Sequence, residues 1–231
     1  FLIATTPPPM NNRGAPLKQN PIFFLAFGFT LLCNKSWAQA NEGASPDAII
    51  MLSSQGLVQA LDPAGNLVAG ALSPGTVLAQ GFSIKTGLTG EVSMLFSNGT
   101  VATIEPRTHI KISTFLQEQF DAADRKVSNL KQEPSSSQLT IELNTGNLVV
   151  QTKKLARTSS FTINTSVGTA GIKGTEFQMG IKAGGTTLDV SSSVVEFTPS
   201  GGQPSVVVQG KGLDVSPNGS VTPSPINPVV S

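Results

Sequence analysis

The sequence predicts an all-β domain in which many short strands stack into a sandwich-like arrangement. Two observations support this prediction. Turn-forming residues recur about every 8–12 residues after the N-terminal region, and the segments between them alternate apolar and polar side chains. Val92, Met94 and Phe96, for example, fall on one face of a pleated strand, while Glu91 and Ser93 fall on the other.

The first 40 residues are expected to lie outside this domain. Met10 is the first methionine, so residues 1–9 are interpreted as sequence upstream of the natural start. Residues 10–40 have the order of a secretory signal peptide, in which cations precede an apolar run and small residues form the cleavage site at Ala38 and Ala40. The protein is therefore expected to be exported and to be periplasmic or secreted.

A membrane anchor is the alternative interpretation of the apolar run 21–33. A helix of this length would reach about 20 Å, which is short of the roughly 30 Å hydrocarbon core. The mature chain also lacks an uncharged apolar stretch long enough to span a bilayer. We therefore expect cleavage after Ala40 and no membrane span in the mature chain.

The composition of the mature chain excludes several classes of function. Twelve Lys and Arg residues remain against fourteen Asp and Glu residues, which gives a net charge of −2. No basic patch is left to neutralise phosphates, so nucleic acid is not an expected partner. The lone cysteine, Cys33, lies before the cleavage site, so neither a disulfide nor thiolate chemistry is expected.

The β domain is predicted over residues 48–215, after a polar lead-in at 41–47. Residues 48–61 are expected to form one strand, or two short strands broken at 53–56. Further strands are predicted where alternation resumes, at 139–143, 148–150, 161–163, 177–181, 188–190, 194–197, 206–208 and 213–215.

Turns are predicted from glycine, proline and asparagine. Three segments, 61–65, 197–201 and 215–219, place Pro and Gly where a type I turn prefers them. Asn98-Gly99 predicts a two-residue hairpin with positive φ at both positions. The glycine positions interpreted as structural turns are Gly75, Gly81, Gly87, Gly99, Gly171 and Gly174.

Two segments depart from this pattern. Residues 116–138 are rich in charge and end in a Pro-Ser-Ser-Ser run, so they are interpreted as an exposed excursion, with a helix over 118–130 as an option. Residues 216–231 collect several prolines and are interpreted as an extended, flexible tail.

Short motifs of known enzymes occur but lack their context. Ser128-Asn-Leu-Lys131 and Lys85-Thr-Gly87 match elements of penicillin-recognising serine enzymes, in reverse order and without the third element. The glycine-rich run 168–174 precedes a strand pattern, whereas a phosphate-binding loop would open a helix. His109 is the only histidine and is expected to face solvent. We therefore predict no enzyme activity, no cofactor and no metal site.

Glu176 is the remaining candidate interaction residue. It is the one charged residue in an otherwise uncharged strand. Two interpretations stay open: an exposed position on the outer face of the strand, or a partly buried carboxylate bonded to nearby glycine amides.

Two blocks of sequence resemble the FecR domain, the β-rich periplasmic part of ferric-citrate-type regulators. The first is Leu72–Ile112, with its paired glycines, Met94-Leu-Phe-Ser-Asn-Gly-Thr100 and Glu105-Pro-Arg-Thr108. The second is Phe161–Met179, which ends in Gly-Thr-Glu-Phe, and Glu142–Gln151 lies where the family places a strand, a turn and a strand.

The resemblance implies a non-enzymatic role in envelope signal transduction through protein–protein interaction. The partner would be an envelope protein that the sequence does not identify. A structural, surface-layer or adhesion-type module is the alternative function.

Overall fold

The computed structural model describes residues 47–68, 72–121 and 130–226. Within these ranges the chain forms only strands, turns and irregular segments, which confirms the all-β prediction. The strands are β1 (Ile49–Gln55), β2 (Val58–Leu61), β3 (Val77–Leu78), β4 (Ser83–Thr86), β5 (Glu91–Phe96), β6 (Val101–Ile104), β7 (His109–Gln117), β8 (Ser137–Gln151), β9 (Ser160–Thr165), β10 (Gly168–Ile172), β11 (Glu176–Lys182), β12 (Gly185–Ser192), β13 (Val194–Pro199), β14 (Ser205–Val208), β15 (Lys211–Val215) and β16 (Val221–Pro225).

Several predictions concern residues outside these ranges and stay predictions. They are the upstream segment 1–9, the signal peptide 10–40 with its cleavage site at Ala38 and Ala40, most of the lead-in 41–47, most of the helix option over 118–130, Ser128 of the serine-enzyme motif, and the tail from residue 227. No helix among the described residues is long and apolar enough to cross a membrane.

The strands form two sheets that share β8. Sheet A has the order β3-β1-β5-β6-β8-β11-β12-β15-β16, and sheet B has the order β2-β4-β7-β8-β9-β10-β13-β14. All pairs are antiparallel except β8 with β9, which run parallel. Residues of both sheets form one hydrophobic core cluster, as the two layers of a sandwich do.

β8 passes from one sheet to the other along its length. Its first part, up to Thr145, pairs with β7 and β9 in sheet B. Its second part, from Gly146, pairs with β6 and β11 in sheet A. The strand, turn and strand that the family resemblance implies for residues 142–151 is therefore wrong, because Thr145 and Gly146 are the crossing point of one continuous strand.

The core lies between the sheets and is one continuous cluster of aliphatic and aromatic side chains. Five phenylalanines are its largest members: Phe96, Phe115, Phe161, Phe177 and Phe197. Phe96 of sheet A and Phe115 of sheet B meet edge to face across the core, with ring centroids 5.1 Å apart and planes at 84°. Burial of this cluster is the main stabilising contribution, since no disulfide is available to the described residues.

The hairpin predicted at Asn98-Gly99 is longer than expected. Gly99 has a φ of 87°, but Asn98 does not have positive φ. The Gly99 amide donates to the Phe96 carbonyl at 2.8 Å and the Phe96 amide donates to the Thr100 carbonyl at 2.9 Å, which encloses a three-residue loop. The side chain of Asn98 is buried and accepts the Thr100 amide at 3.0 Å, an interaction that fixes this loop.

A two-residue hairpin with positive φ at both positions occurs instead at Ala183-Gly184. Their φ angles are 48° and 77°, and the flanking Lys182 and Gly185 pair with each other. The sequence did not predict this loop, since alanine rarely adopts a left-handed conformation.

Ala183→Asn should stabilise the protein by roughly 0.5–1 kcal/mol, because asparagine tolerates this conformation better than alanine does. A urea denaturation series measures the change in the free energy of unfolding. Thr222→Asn, at an exposed position of β16, is the matched control and should bring no gain. Equal effects of the two substitutions would contradict the backbone assignment at position 183.

Two of the three predicted proline turns are confirmed and the third is displaced. The Gly65 and Gly219 amides donate to the carbonyls of Asp62 and Ser216 at 2.9 and 2.8 Å. In the third, the Gly202 amide donates to the Pro199 carbonyl at 3.0 Å, one residue later than predicted. The displacement arises because β13 continues to Pro199, paired with β10.

The prediction of a flexible tail from residue 216 is wrong for residues 221–225. These residues form β16, the edge strand of sheet A, in register with β15. Pro223 and Pro225 are compatible with this position, since an edge strand can leave the missing amides on its open side.

Candidate functional site

One end of the sandwich buries a cluster of polar side chains, which we call the polar end. It lies where β5 turns into β6, β7 ends, β8 begins and the segments 132–136 and 152–159 pass over the core. Its members are all less than 9% exposed: Ser97, Asn98, Thr100, Gln117, Glu133, Ser137, Thr152 and Ser159.

Glu133 is the centre of the polar end. Its carboxylate, on a residue 5% exposed, accepts hydrogen bonds from the Ser137 hydroxyl (2.9 Å), the Ser159 hydroxyl and the Ala156 amide. Its own amide donates to the Lys154 carbonyl at 3.1 Å. Through these hydrogen bonds, Glu133 connects the end of the 118–136 segment to the segment that follows β8.

Further hydrogen bonds connect the hairpin between β5 and β6 to this centre. Asn98 Nδ2 donates to the Ser137 hydroxyl at 3.0 Å. The hydroxyls of Thr100 and Thr152 are 2.9 Å apart. These contacts join parts of the chain that are far apart in sequence, so the polar end is ordered by the tertiary fold.

Gln117 has an unused donor at this end. Its Oε1 accepts from the Ser97 hydroxyl at 2.6 Å and its backbone amide donates to the carboxylate of Asp47. Gln117 is 7% exposed, and its Nε2 is buried with no partner among the described residues. A buried donor without an acceptor lowers the stability of the fold by about 1–3 kcal/mol, so the unpaired Nε2 of Gln117 needs an explanation.

A cleft of about 360 Å³ opens beside Gln117. Its walls come from the end of β7, the start of β8 and the adjacent loops: Asp47, Leu116, Gln117, Glu118, Ser136, Ser137, Gln138 and Thr158. Its two charged residues, Asp47 and Glu118, are both acidic. The hydroxyls of Ser136 and Thr158, 2.6 Å apart, close one side of it.

The prediction of an exposed excursion over 116–138 is corrected in three places. Residues 116–117 belong to β7 and residues 137–138 to β8, while Glu133 is buried. The sequence held a weak signal, the Ser-rich run after Glu133. That run does not reveal the partner Ser159, which the parallel pairing of β8 with β9 brings alongside.

Glu176 is exposed at the start of β11, which agrees with the first of its two interpretations. Its amide donates to the Ser192 hydroxyl at 2.9 Å. No hydrogen bond of its carboxylate to a glycine amide occurs within the described residues, so the interpretation as a partly buried carboxylate is wrong.

The predicted turn glycines fall into two groups. Gly75 and Gly81 have φ of 86° and 88° in turns, and Gly174 has φ of 111° beside the backbone of Lys154. Gly87 has no positive φ, but a Cβ there would lie 3.0 Å from the Leu57 side chain.

Gly171 is not a turn residue. It lies inside β10, paired with Thr162 on one side and Glu196 on the other, so its prediction as a turn is wrong. The strand pattern predicted after the glycine-rich run is confirmed as β11.

The described residues hold no group of three or more His, Cys, Asp and Glu side chains that could bind a metal ion. His109 is half-buried in β7, opposite Lys85 of β4. Burial and the charge of Lys85 lower the pKa of His109 below its usual value.

Comparison with solved structures gives limited similarity. Two crystal structures of a candidate anti-sigma factor from Parabacteroides distasonis ATCC 8503 match with TM-scores of 0.47 and 0.46, at 12% and 11% sequence identity. Each match covers 63% of this chain, and the chain spans 60% of the length of those structures. A comparison with curated proteins found no match.

The family comparison agrees with the all-β architecture and with the glycine blocks in the sequence. Residues 82–196 match the model of the family described as FecR protein. This range includes β4 to β12 and the first half of β13, and therefore the whole of β8 and every member of the polar end. Through residues 82–196, the chain belongs to the FecR-domain family.

Proposed function

We propose that this chain is an exported, non-enzymatic FecR-domain protein that acts by protein–protein contact in the cell envelope. Membership of the FecR-domain family supports a regulatory role in signal transduction. The polar end is the surface through which we expect the contact to be made.

The observation that carries this proposal is the unused Nε2 donor of the buried Gln117, a residue that lines an open cleft. This donor is buried in the unbound protein, so we expect the Gln117 side chain to turn towards the cleft and donate to a backbone carbonyl of the partner. A partner carboxylate is disfavoured, because Asp47 and Glu118 already give the cleft negative charge. The bonds of Glu133 hold the walls in place before binding, which lowers the ordering cost of association.

Filling the cleft should abolish binding without unfolding the domain. Gln138→Arg combined with Thr158→Arg places two long side chains at exposed positions of the cleft and leaves Glu133 untouched. Gln59→Arg, at an exposed position of β2, is the matched control. The measurement is recovery of envelope proteins that co-purify with each variant from its own host.

The expected result is loss of one specific co-purifying protein with the cleft variant and its retention with the control. Retention by both variants would reject the polar end as the contact surface. Equal loss from both would show that the recovered protein binds by general electrostatic attraction.

A further inference from the structure

An apolar row crosses the outer face of sheet A, on the side away from the core. Register places Val77 of β3 opposite Ile50 of β1, Ile50 opposite Leu95 of β5, and Leu95 opposite Val101 of β6. Paired residues in an antiparallel sheet point to the same face, so these four side chains are neighbours.

The burial pattern shows that this face is turned to solvent. In β5 and β6 every second residue is buried in the core, and Leu95 and Val101 occupy the alternate positions. Val77 is 58% exposed, and Leu52, next to the row in β1, is 44% exposed. Ile50, Leu95 and Val101 are themselves half-buried, so the row is a partly exposed apolar strip. An apolar strip of this kind on an outer sheet face marks a candidate interaction surface.

The row continues into acidic residues. Val101 pairs with Gln151 of β8, and Gln151 pairs with Glu176 of β11, so Glu176 extends the row. Carboxylates outnumber basic residues at the solvent-accessible outward positions of the described sheet A strands: Glu91, Glu176 and Asp214, against Lys182. Asp189 of β12 is buried and does not add to this charge.

The outer face of sheet B differs. Its outward positions carry Lys85 and Lys111, balanced by Glu142 and Glu196. Sheet B has exposed apolar side chains of its own, at Val194, Val206 and Val208. Among the described strands, it is therefore the surplus of negative charge beside the apolar row that distinguishes sheet A.

We propose that the outer face of sheet A binds a segment of a partner protein in which apolar residues are flanked by Lys or Arg. Charge complementarity selects this occupant. A second copy docking through the same face would bring like charges together, and an anionic membrane surface would be repelled. The row borders the polar end at Thr100 and Thr152 but includes none of its members, and the inference does not depend on the cleft beside Gln117.

Two labelled peptides test the inference with the full chain. One alternates Val and Lys, and the other alternates Val and Glu; fluorescence anisotropy measures their binding at physiological ionic strength. The Val-Lys peptide should bind and the Val-Glu peptide should not. Leu95→Ser and Glu176→Lys should each weaken binding about tenfold, since one removes apolar contact and the other reverses a flanking charge.

The matched controls are Val206→Ser and Glu196→Lys on the outer face of sheet B, which should leave binding within about twofold. Equal losses from controls and test variants would overturn the inference in favour of general attraction to an acidic protein. Equal binding of both peptides would also overturn it. So would self-association that Leu95→Ser abolishes, because the occupant would then be a second copy. None of these outcomes involves the cleft, so the proposed function is tested separately.

Discussion

Gly146→Ala should remove the cooperative unfolding transition or lower the free energy of unfolding by more than about 4 kcal/mol. Gly146 is the residue at which β8 passes from sheet B to sheet A, and its φ is 82°. A Cβ there would lie 2.5 Å from the Cα of Thr108 and 2.7 Å from the carbonyl oxygen of Arg107. Backbone atoms held in a packed turn cannot move aside as a flexible side chain can, so the crossing itself would be displaced.

Gly75→Ala is the control for the backbone conformation alone. Gly75 has a nearly equal φ of 86°, but a Cβ there would meet no atom within 4 Å. Gly75→Ala should therefore lower the free energy of unfolding only by the cost of placing alanine in the left-handed conformation, about 1–2 kcal/mol. Thermal and urea unfolding followed by circular dichroism measure both variants. Equal losses would show that the close approach to Thr108 is not what requires glycine at position 146.

Glu133→Ala should lower the free energy of unfolding by about 3 kcal/mol. The substitution leaves the hydroxyls of Ser137 and Ser159 and the amide of Ala156 without their acceptor at a buried site. Glu133→Gln keeps the volume and one acceptor oxygen but places an NH2 donor where the other oxygen was. The free energy of unfolding should therefore fall by less than in Glu133→Ala, but still measurably. Urea denaturation gives the comparison.

Glu118→Ala is the matched control, because Glu118 is an exposed acidic residue of the same segment. It should change the free energy of unfolding by less than about 0.5 kcal/mol. If Glu133→Ala were equally mild, the buried hydrogen bonds of the polar end would not be stabilising the domain.

The predictable part of the fold is the part controlled by local pattern. Alternation between buried and outward residues identifies strands such as β5, and proline with glycine identifies the turns at 62–65 and 216–219. The crossing of β8 is also visible in the alternation along the strand. Its buried positions have odd numbers up to Leu143 and even numbers from Leu148. A change of parity fits either a turn or a bend, so this pattern does not decide between them, and the expected turn rested on the family resemblance.

The remaining features depend on contacts between distant residues. Glu133 is in a charged, serine-rich segment, which predicts exposure, and only the pairing of β8 with β9 brings Ser159 to its carboxylate. The apolar row on sheet A likewise joins four strands by register. Ala183 takes up a hairpin conformation that its own preference opposes, because the pairing of β11 with β12 imposes it.

Amide hydrogen exchange along β8 tests most directly whether one continuous strand joins both sheets. Both parts of β8 are hydrogen-bonded to neighbours on two sides, so the amides of Leu139–Leu143 and Leu148–Val150 should be among the slowest to exchange and should exchange together in the global unfolding reaction. Separate exchange of the two groups, each with its own opening free energy, would contradict the account and restore two strands joined by a turn.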